Sequence, residues 1–263
     1  MKLSQPTLKP AVYIIGAGPG DPELLTLKAY KILSQADLIL YADSLVPKQI
    51  LQDVRADAEL VPTGNKTLEQ IIPLAIDAVR QGKSVVRLHS GDLTLYSAIG
   101  EQMQAFTTAE VPFELVPGIS AFQAAAAKLS TELTIPEVVQ TIILTRISGK
   151  ASAVPETEEL ASLAAHQASL CLYLAARHIE QAQEKLLKHY PSDTPVAVCY
   201  RVGWQDEQIW VVPLSAMAAV TREQKLIRTT LYLISPALQS AVATRSRLYH
   251  PDHHHLFRPE IKV

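Results

Sequence analysis

Cysteine is nearly missing from this sequence. Cys171 and Cys199 are its only two among 263 residues, each set inside an apolar run. That scarcity excludes a disulfide framework and a thiolate metal site, and both thiols are expected in the core. Aromatic residues make up only 6 %, and neither sign of charge dominates: the formal net charge is -2, with acids and bases interspersed. A basic, aromatic-rich face for a nucleic acid and a cationic patch for an anionic membrane are therefore not expected. Long hydrophobic runs are absent as well. Stretches such as Thr141 to Leu144 and Leu170 to Ala176 are far too short to span a bilayer, and the polar first residues lack the apolar centre of a signal peptide. A cytoplasmic protein whose partner is a small molecule or another protein is the expectation.

What is present is a chain that is 48 % apolar, enough for one large core or two modest ones. Ala11 to Gly16 reads as a buried strand, after which Asp21 caps a helix that has Pro22 at its first position and is expected to run to about Ala36. Leu38 to Tyr41 and Leu60 to Pro62 read as strands. Thr67, Leu68, Glu69 and Gln70 fit a capping box that opens a helix to about Gly82, with Pro73 expected to kink it. Ser84 to Leu88 and Phe113 to Val116 complete an alternation of strands and helices that favours a parallel sheet. Strand-like runs then follow an alanine-rich helix, at Thr141 to Thr145, Ala168 to Leu174, Val196 to Tyr200, Gln208 to Pro213 and Thr229 to Ile234, with fewer helices between them. The expected architecture is α/β in two domains: an extension at 1–10, a mainly parallel α/β domain at 11–118, a smaller mixed-sheet α/β domain at 119–240, and a polar tail at 241–263. A ligand cleft between the two domains is the natural expectation. His250, His253, His254 and His255 lie in that tail with no nearby carboxylate pair or thiolate, so no metal site is assigned to them.

Glycine is scarce, ten residues in all, yet three stand in Gly16-Ala17-Gly18-Pro19-Gly20-Asp21, between a strand and a helix. Glycines there let the backbone approach a ligand, and the free N–H groups of the helix start face it. A dinucleotide-binding turn is the rival, but its third glycine would fall at position 21, where Asp21 would repel a pyrophosphate. Asp43 follows the second strand, where such a fold places its ribose-binding acid, which keeps a nicotinamide-dependent oxidoreductase among the alternatives. A second glycine-acid turn, Ser90-Gly91-Asp92-Leu93-Thr94-Leu95-Tyr96, follows another strand and arrives at the same sheet edge.

These residues together resemble the tetrapyrrole (corrin and porphyrin) methyltransferase family, from about Ala11 to Leu238. Four family signatures resemble, in order, Val12 to Leu27, Val86 to Ala98, Val116 to Ala121, and the pair Thr145-Arg146. Leu133 to Glu137, Gln140 to Arg146 and Tyr200 to Glu207 further resemble its precorrin-4 C11-methyltransferase branch. Leu93 departs from the pattern, since many relatives carry proline after Gly-Asp.

The resemblance implies an enzyme that uses S-adenosylmethionine as methyl donor, with a tetrapyrrole as substrate, no protein-bound metal, and a homodimeric state. It carries cofactor contacts onto Pro19, Ser90, Gly91, Asp92, Leu95, Ser120, Ala121, Leu174, Val202, Thr230 and Leu231. No Ser/His/Asp or Cys/His set is evident, as suits a transfer without a protein nucleophile. Asp21, Asp43 and Asp92 are the candidates for polarising the tetrapyrrole or accepting a proton, on the expectation that three converging carboxylates perturb one another. Gly18 and the guanidinium forks of Arg87, Arg146 and Arg201 are the candidates for holding the substrate and its carboxylates. A uroporphyrinogen III or RNA methyltransferase of the same fold and a non-catalytic ligand-binding module are the other readings.

Overall fold

A computed structural model describes residues 8–148, 153–239, 253, 254 and 256–258. Those residues fall into two compact units, one within Met1–Ala125 and Arg201–Gln208, the other within Ala126–Tyr200 and Ile209–Val263. The first unit thus runs on into the alanine-rich helix beyond residue 118, and it claims a segment from the second half of the chain. Of the four tail histidines, His250 and His255 lie outside the described residues.

The first unit contains β1 (Val12–Gly16), α1 (Leu27–Leu33), β2 (Leu38–Tyr41), β3 (Glu59–Pro62), α2 (Leu68–Arg80), β4 (Val85–His89), α3 (Ile99–Thr108) and β5 (Phe113–Val116), and ends inside α4 (Ala121–Lys128). Its sheet has the order β3-β2-β4-β1-β5, and every recorded pairing in it is parallel. A parallel sheet needs cover on both faces, which is why β1, β2 and β4 are buried end to end. Alternate side chains go opposite ways. Val12, Ile14, Leu38 and Leu40 pack with Ile71 and Ala75 of α2 and Phe106 of α3. Tyr13, Ile15, Ile39 and Leu88 pack with Ala29, Ile32 and Leu33 of α1 and with Ile50.

Local signals explain most boundaries. Thr67 N–H donates to Gln70 Oε1 at 3.0 Å, as expected of the capping box that opens α2. Pro73 lies inside α2 without ending it. The long first helix is corrected: Asp21 caps only a 3-10 turn over Pro22–Leu24, Leu25 is extended, and Thr26 caps α1 afresh by accepting from Ala29 N–H at 3.2 Å. Two competing N-caps five residues apart divide the segment.

The second unit holds β6 (Ile142–Arg146), α5 (Leu160–Ala164), β7 (Ser169–Tyr173), α6 (Ile179–Leu186), β8 (Pro195–Tyr200), β9 (Gln208–Pro213), α7 (Met217–Glu223) and β10 (Thr230–Ile234). The sheet order is β6-β7-β10-β8-β9. β6 runs parallel to β7, whereas β10 is antiparallel to both β7 and β8, so the sheet is mixed. Leu170, Leu172, Val196, Val198, Tyr232 and Ile234 pack on Leu160, Ile179, Leu186 and Met217 of the three helices. Cys171 and Cys199 are buried, and burial pushes the Cys171 thiol up to about 12.

Candidate active site

Because the first sheet is parallel, the carboxyl ends of all five strands share one edge, where open α/β sheets place ligands. Three turns there are packed backbone to backbone. A Cβ on Gly16 would lie 2.6 Å from Gly91 O, and one on Gly118 would lie 2.3 Å from Gly91 O and 2.6 Å from Gly16 O. Only hydrogen fits at positions 16 and 118. Gly18 and Gly91 exchange backbone hydrogen bonds of 3.2 and 2.7 Å, both with positive φ. The turns after β1, β4 and β5 are thereby joined into one rigid cradle.

Asp92 closes that cradle. Its Oδ2 accepts from Gly118 N–H at 3.1 Å, and its Oδ1 accepts from Thr94 N–H at 2.9 Å and from the Thr94 hydroxyl. Burial pushes this carboxyl up, but the bonds from Thr94, Gly118 and Leu93 outweigh it and hold the group below its ordinary value. No other carboxylate contributes to the shift, so the expected mutual perturbation of three acids is corrected for Asp92. Asp21 is engaged at Oδ1 by Glu23 N–H, 2.9 Å, and exposed Asp43 at Oδ1 by Gly64 N–H, 2.7 Å. All three acids tie down turns at the one edge.

Arg87 is a correction of a different kind. Instead of presenting a fork to a ligand, it is only 6 % exposed within the first unit. Its Nε donates to Gln102 Oε1, and its NH1 donates to Leu40 O and Thr63 Oγ1, at 3.2, 3.3 and 3.1 Å. Burial lowers its pKa to about 10. Even so it stays cationic, cross-linking the ends of β2 and β3 to α3. His89 lies beside it, and burial, then the Arg87 charge, drives its pKa down to about 3, so its ring is neutral. Arg146 donates to the Ile147 and Ala153 carbonyls, and Arg201 pairs with Asp206 while lying 4.8 Å over the Trp204 ring.

The segment 201–208, most of it within the stretch that carries the branch resemblance, also brings residues to which the sequence reading assigns no role. Trp204 packs on Gly20 so closely that a Cβ there would lie 2.5 Å from its Cδ1. Gln49 Nε2 donates to Gly20 O at 2.7 Å and to Gly203 O at 3.0 Å, while Gly203 N–H donates to Glu207 Oε2 at 2.6 Å. The glycine turn is therefore clasped from outside by Trp204 and Gln49.

In the second unit, the carboxyl ends of β6, β7 and β8 and the amino end of β10 share an edge. Arg146, Leu174, Thr230 and Leu231 fall at or beside it. Leu174 is apolar, left-handed at φ +55, and 65 % exposed, whereas Leu231 is buried.

The sequence profile of the tetrapyrrole (corrin/porphyrin) methylases matches residues 11–218 of this chain. The chain belongs to that family. It is 43 % identical over 248 residues to the precorrin-4 C(11)-methyltransferase of Pseudomonas aeruginosa, covering 94 % of this chain and 98 % of that one. It is 40 % identical over 252 residues to the cobalt-precorrin-4 C(11)-methyltransferase of Methanocaldococcus jannaschii, covering 95 % and 97 %. A solved cobalamin biosynthetic cobalt precorrin-4 methyltransferase superposes with a TM-score of 0.83 at 40 % identity, covering 87 % of this chain and 96 % of its own. A uroporphyrin-III C-methyltransferase from Thermus thermophilus, solved with S-adenosyl homocysteine, gives 0.73 at 25 % identity, covering 87 % and 98 %.

For this tetrapyrrole methylase, the residues carried over by resemblance fall into two sets. Pro19, Ser90, Gly91, Asp92 and Leu95 lie in the turns of the cradle, together with the substrate candidate Gly18, and Ser120 and Ala121 open α4, where Ser120 N–H donates to Gln123 Oε1 at 3.0 Å. Leu174, Thr230 and Leu231 sit at the second sheet's edge, and Val202 begins the segment that bears Trp204. Leu93, the departure from the family pattern, is buried against the α2–α3 side of the first sheet, where it fills core volume. A surface groove of about 350 Å³, lined by Pro22, Leu25, Tyr30, Ile50 and Val54 among others, contains none of these residues.

Proposed function

We propose that this methylase transfers the methyl group of S-adenosylmethionine to C11 of precorrin-4 or its cobalt form. The observation that carries the reading is near end-to-end likeness, at 40–43 % identity, to precorrin-4 C(11)-methyltransferases with and without cobalt in their names. When bound, the cofactor supplies an electrophilic methyl group on a sulfonium centre. The residues present fit such a ligand. A glycine cradle exposes backbone groups without side-chain obstruction, and Asp92 holds a fixed negative charge suited to a cationic partner.

The chain's own task is positioning, since a pyrrole-derived carbon is already nucleophilic. Proposed cofactor contacts are Pro19, Ser90, Gly91, Asp92, Leu95, Ser120, Ala121, Leu174, Val202, Thr230 and Leu231. Asp92, with its pKa depressed, is a poor proton acceptor near neutrality and serves as an anchor. Asp43 is the proposed partner of the tetrapyrrole, because it is exposed and engaged at Oδ1 alone among the described residues. Gly18 and the arginines Arg146 and Arg201 are proposed to line the substrate. The working form is proposed to be a cytoplasmic homodimer, for which exposed Leu27 and Tyr30 offer apolar surface; sedimentation velocity checks the dimer.

Mass spectrometry of the reaction with isotope-labelled cofactor and enzymatically prepared precorrin-4, with and without cobalt, tests the reading, with NMR to locate the new methyl. A methyl at C11 is expected, and the preferred form identifies the natural substrate. Transfer to uroporphyrinogen III in place of both would overturn it.

A further inference from the structure

Arg87 occupies a place where a charge is unfavourable. Its guanidinium is buried, and its three acceptors among the described residues, Gln102 Oε1, Leu40 O and Thr63 Oγ1, are all neutral. A buried cation without a counter-charge destabilises a fold. Strands β2, β3 and β4 already pair through their backbones without its help. What the guanidinium adds lies past the strand ends.

Two of its acceptors flank the turn that carries Asp43. Leu40 stands in β2, three residues before that carboxylate, and Thr63 directly follows β3, the strand paired with β2. The Thr63 hydroxyl accepts from the guanidinium at 3.1 Å and donates to Tyr41 O at 3.0 Å. That same carbonyl accepts the backbone N–H groups of Thr63 and Asp43, at 2.9 and 3.0 Å. One residue further on, Gly64 N–H donates to Asp43 Oδ1 at 2.7 Å. A Cβ on Gly64 would lie 2.7 Å from that oxygen, so a side chain there would force the carboxylate away. Because the guanidinium faces the Thr63 oxygen as a donor, the hydroxyl proton is left to point at Tyr41 O. A buried run of hydrogen bonds thus begins at Arg87 and ends on an exposed carboxylate.

We infer that Arg87 and Thr63 are positioning residues for the reaction, which through Gly64 hold the Asp43 carboxylate in one orientation, Oδ1 engaged in the turn and Oδ2 meeting the tetrapyrrole. Both act from the core, without touching the substrate. Arginine suits the task because its planar fork reaches Gln102, Leu40 and Thr63 at once, whereas a lysine ammonium is a point charge on a flexible stem. The inference rests on the proposed role of Asp43 as the partner of the tetrapyrrole.

The test measures kcat/KM for the tetrapyrrole that the protein methylates, S-adenosylhomocysteine affinity by calorimetric titration, and thermal denaturation. Thr63→Val keeps the shape and removes the hydroxyl; kcat/KM is expected to fall about fivefold, the scale of one hydrogen bond, with cofactor affinity unchanged. Thr63→Ser keeps the hydroxyl and is expected to stay within about twofold of wild type. Arg87→Lys keeps the charge and loses the fork, and is expected to lower kcat/KM about tenfold. In an Asp43→Ala background no carboxylate remains to be placed, so Thr63→Val is expected to change kcat/KM by less than about twofold. A threonine that served stability alone would lower activity equally in both backgrounds. That equal loss, or wild-type kcat/KM in folded Thr63→Val or Arg87→Lys, overturns the inference alone. Wild-type turnover by Asp43→Ala overturns the proposed role of Asp43 with it.

Discussion

At Gly118 a single methyl group decides whether the cradle closes. With Gly91 O 2.3 Å and Gly16 O 2.6 Å from the position of a Cβ, Gly118→Ala must push the neighbouring backbone segments away. A loss of about 3 kcal/mol in urea denaturation is expected, together with loss of cofactor binding. Gly100 is the control: it lies in α3 with open space around it, so Gly100→Ala is expected to add about 0.5–1 kcal/mol. His89 sets a pH limit. Its folded pKa, about 3, lies below the ordinary value of about 6.5, so between those values the unfolded chain binds the extra proton. Stability from this residue is therefore fully present above about pH 6.5 and is lost as pH falls towards 3. Thermal melts across that range should show the decline in wild type and a flatter one in His89→Gln, a change that leaves no titrating ring. Arg87 and His89 interrupt an otherwise apolar strand at alternate positions, a pattern that suggests an exposed polar face, which is why the pair's burial was not legible beforehand.

The glycine turn and the 201–208 segment form the element whose behaviour is easiest to separate into its contributions. Trp204 seats on Gly20, and Gln49 holds Gly20 and Gly203 together from a position 154 residues away from the latter. Trp204→Phe, which keeps ring packing, is expected to retain most activity, while Trp204→Ala frees the turn and raises KM. Gly20→Ala should be severe in wild type and milder by about 1 kcal/mol in the Trp204→Ala background, since the two share one contact. A double-mutant cycle on unfolding free energy measures this, and strict additivity would count against the clasp. The first helix teaches a related lesson. Asp21 with Pro22 is a sound helix start, yet the chain uses it for a 3-10 turn and begins again at Thr26. Capping residues mark where a helix can begin; which of two caps governs depends on how the intervening Leu25 packs.

Across the molecule, cofactor binding and stability are linked by mass action. S-Adenosylhomocysteine at about a hundred times its Kd is expected to stabilise the folded protein by about 2.7 kcal/mol, read as a concentration-dependent rise in melting temperature. A melt indifferent to the ligand would contradict binding to the native state. Much of the architecture that binds it was legible. Alternating apolar strands and helices dictated a parallel sheet, and parallel strands place every carboxyl end at one edge, so the glycine turn and the Asp92 turn had to converge. These features follow from local pattern and from the pairing geometry of strands, both of which are written in short stretches of sequence. The expected thinning of helices in the second half is corrected: three helices separate the five strands of the second sheet, as many as in the first, and the sheet is mixed because β10 enters antiparallel to β7 and β8. Other features belong to the tertiary structure alone: Arg87 turned inward to bind Leu40 and Thr63, Asp92 reaching Gly118, Trp204 settling on Gly20, and the Thr229 hydroxyl left without a partner among the described residues. Each depends on which distant segments become neighbours, and a side chain's charge or hydroxyl carries no local record of whether that neighbour will be water, a carbonyl or a ligand.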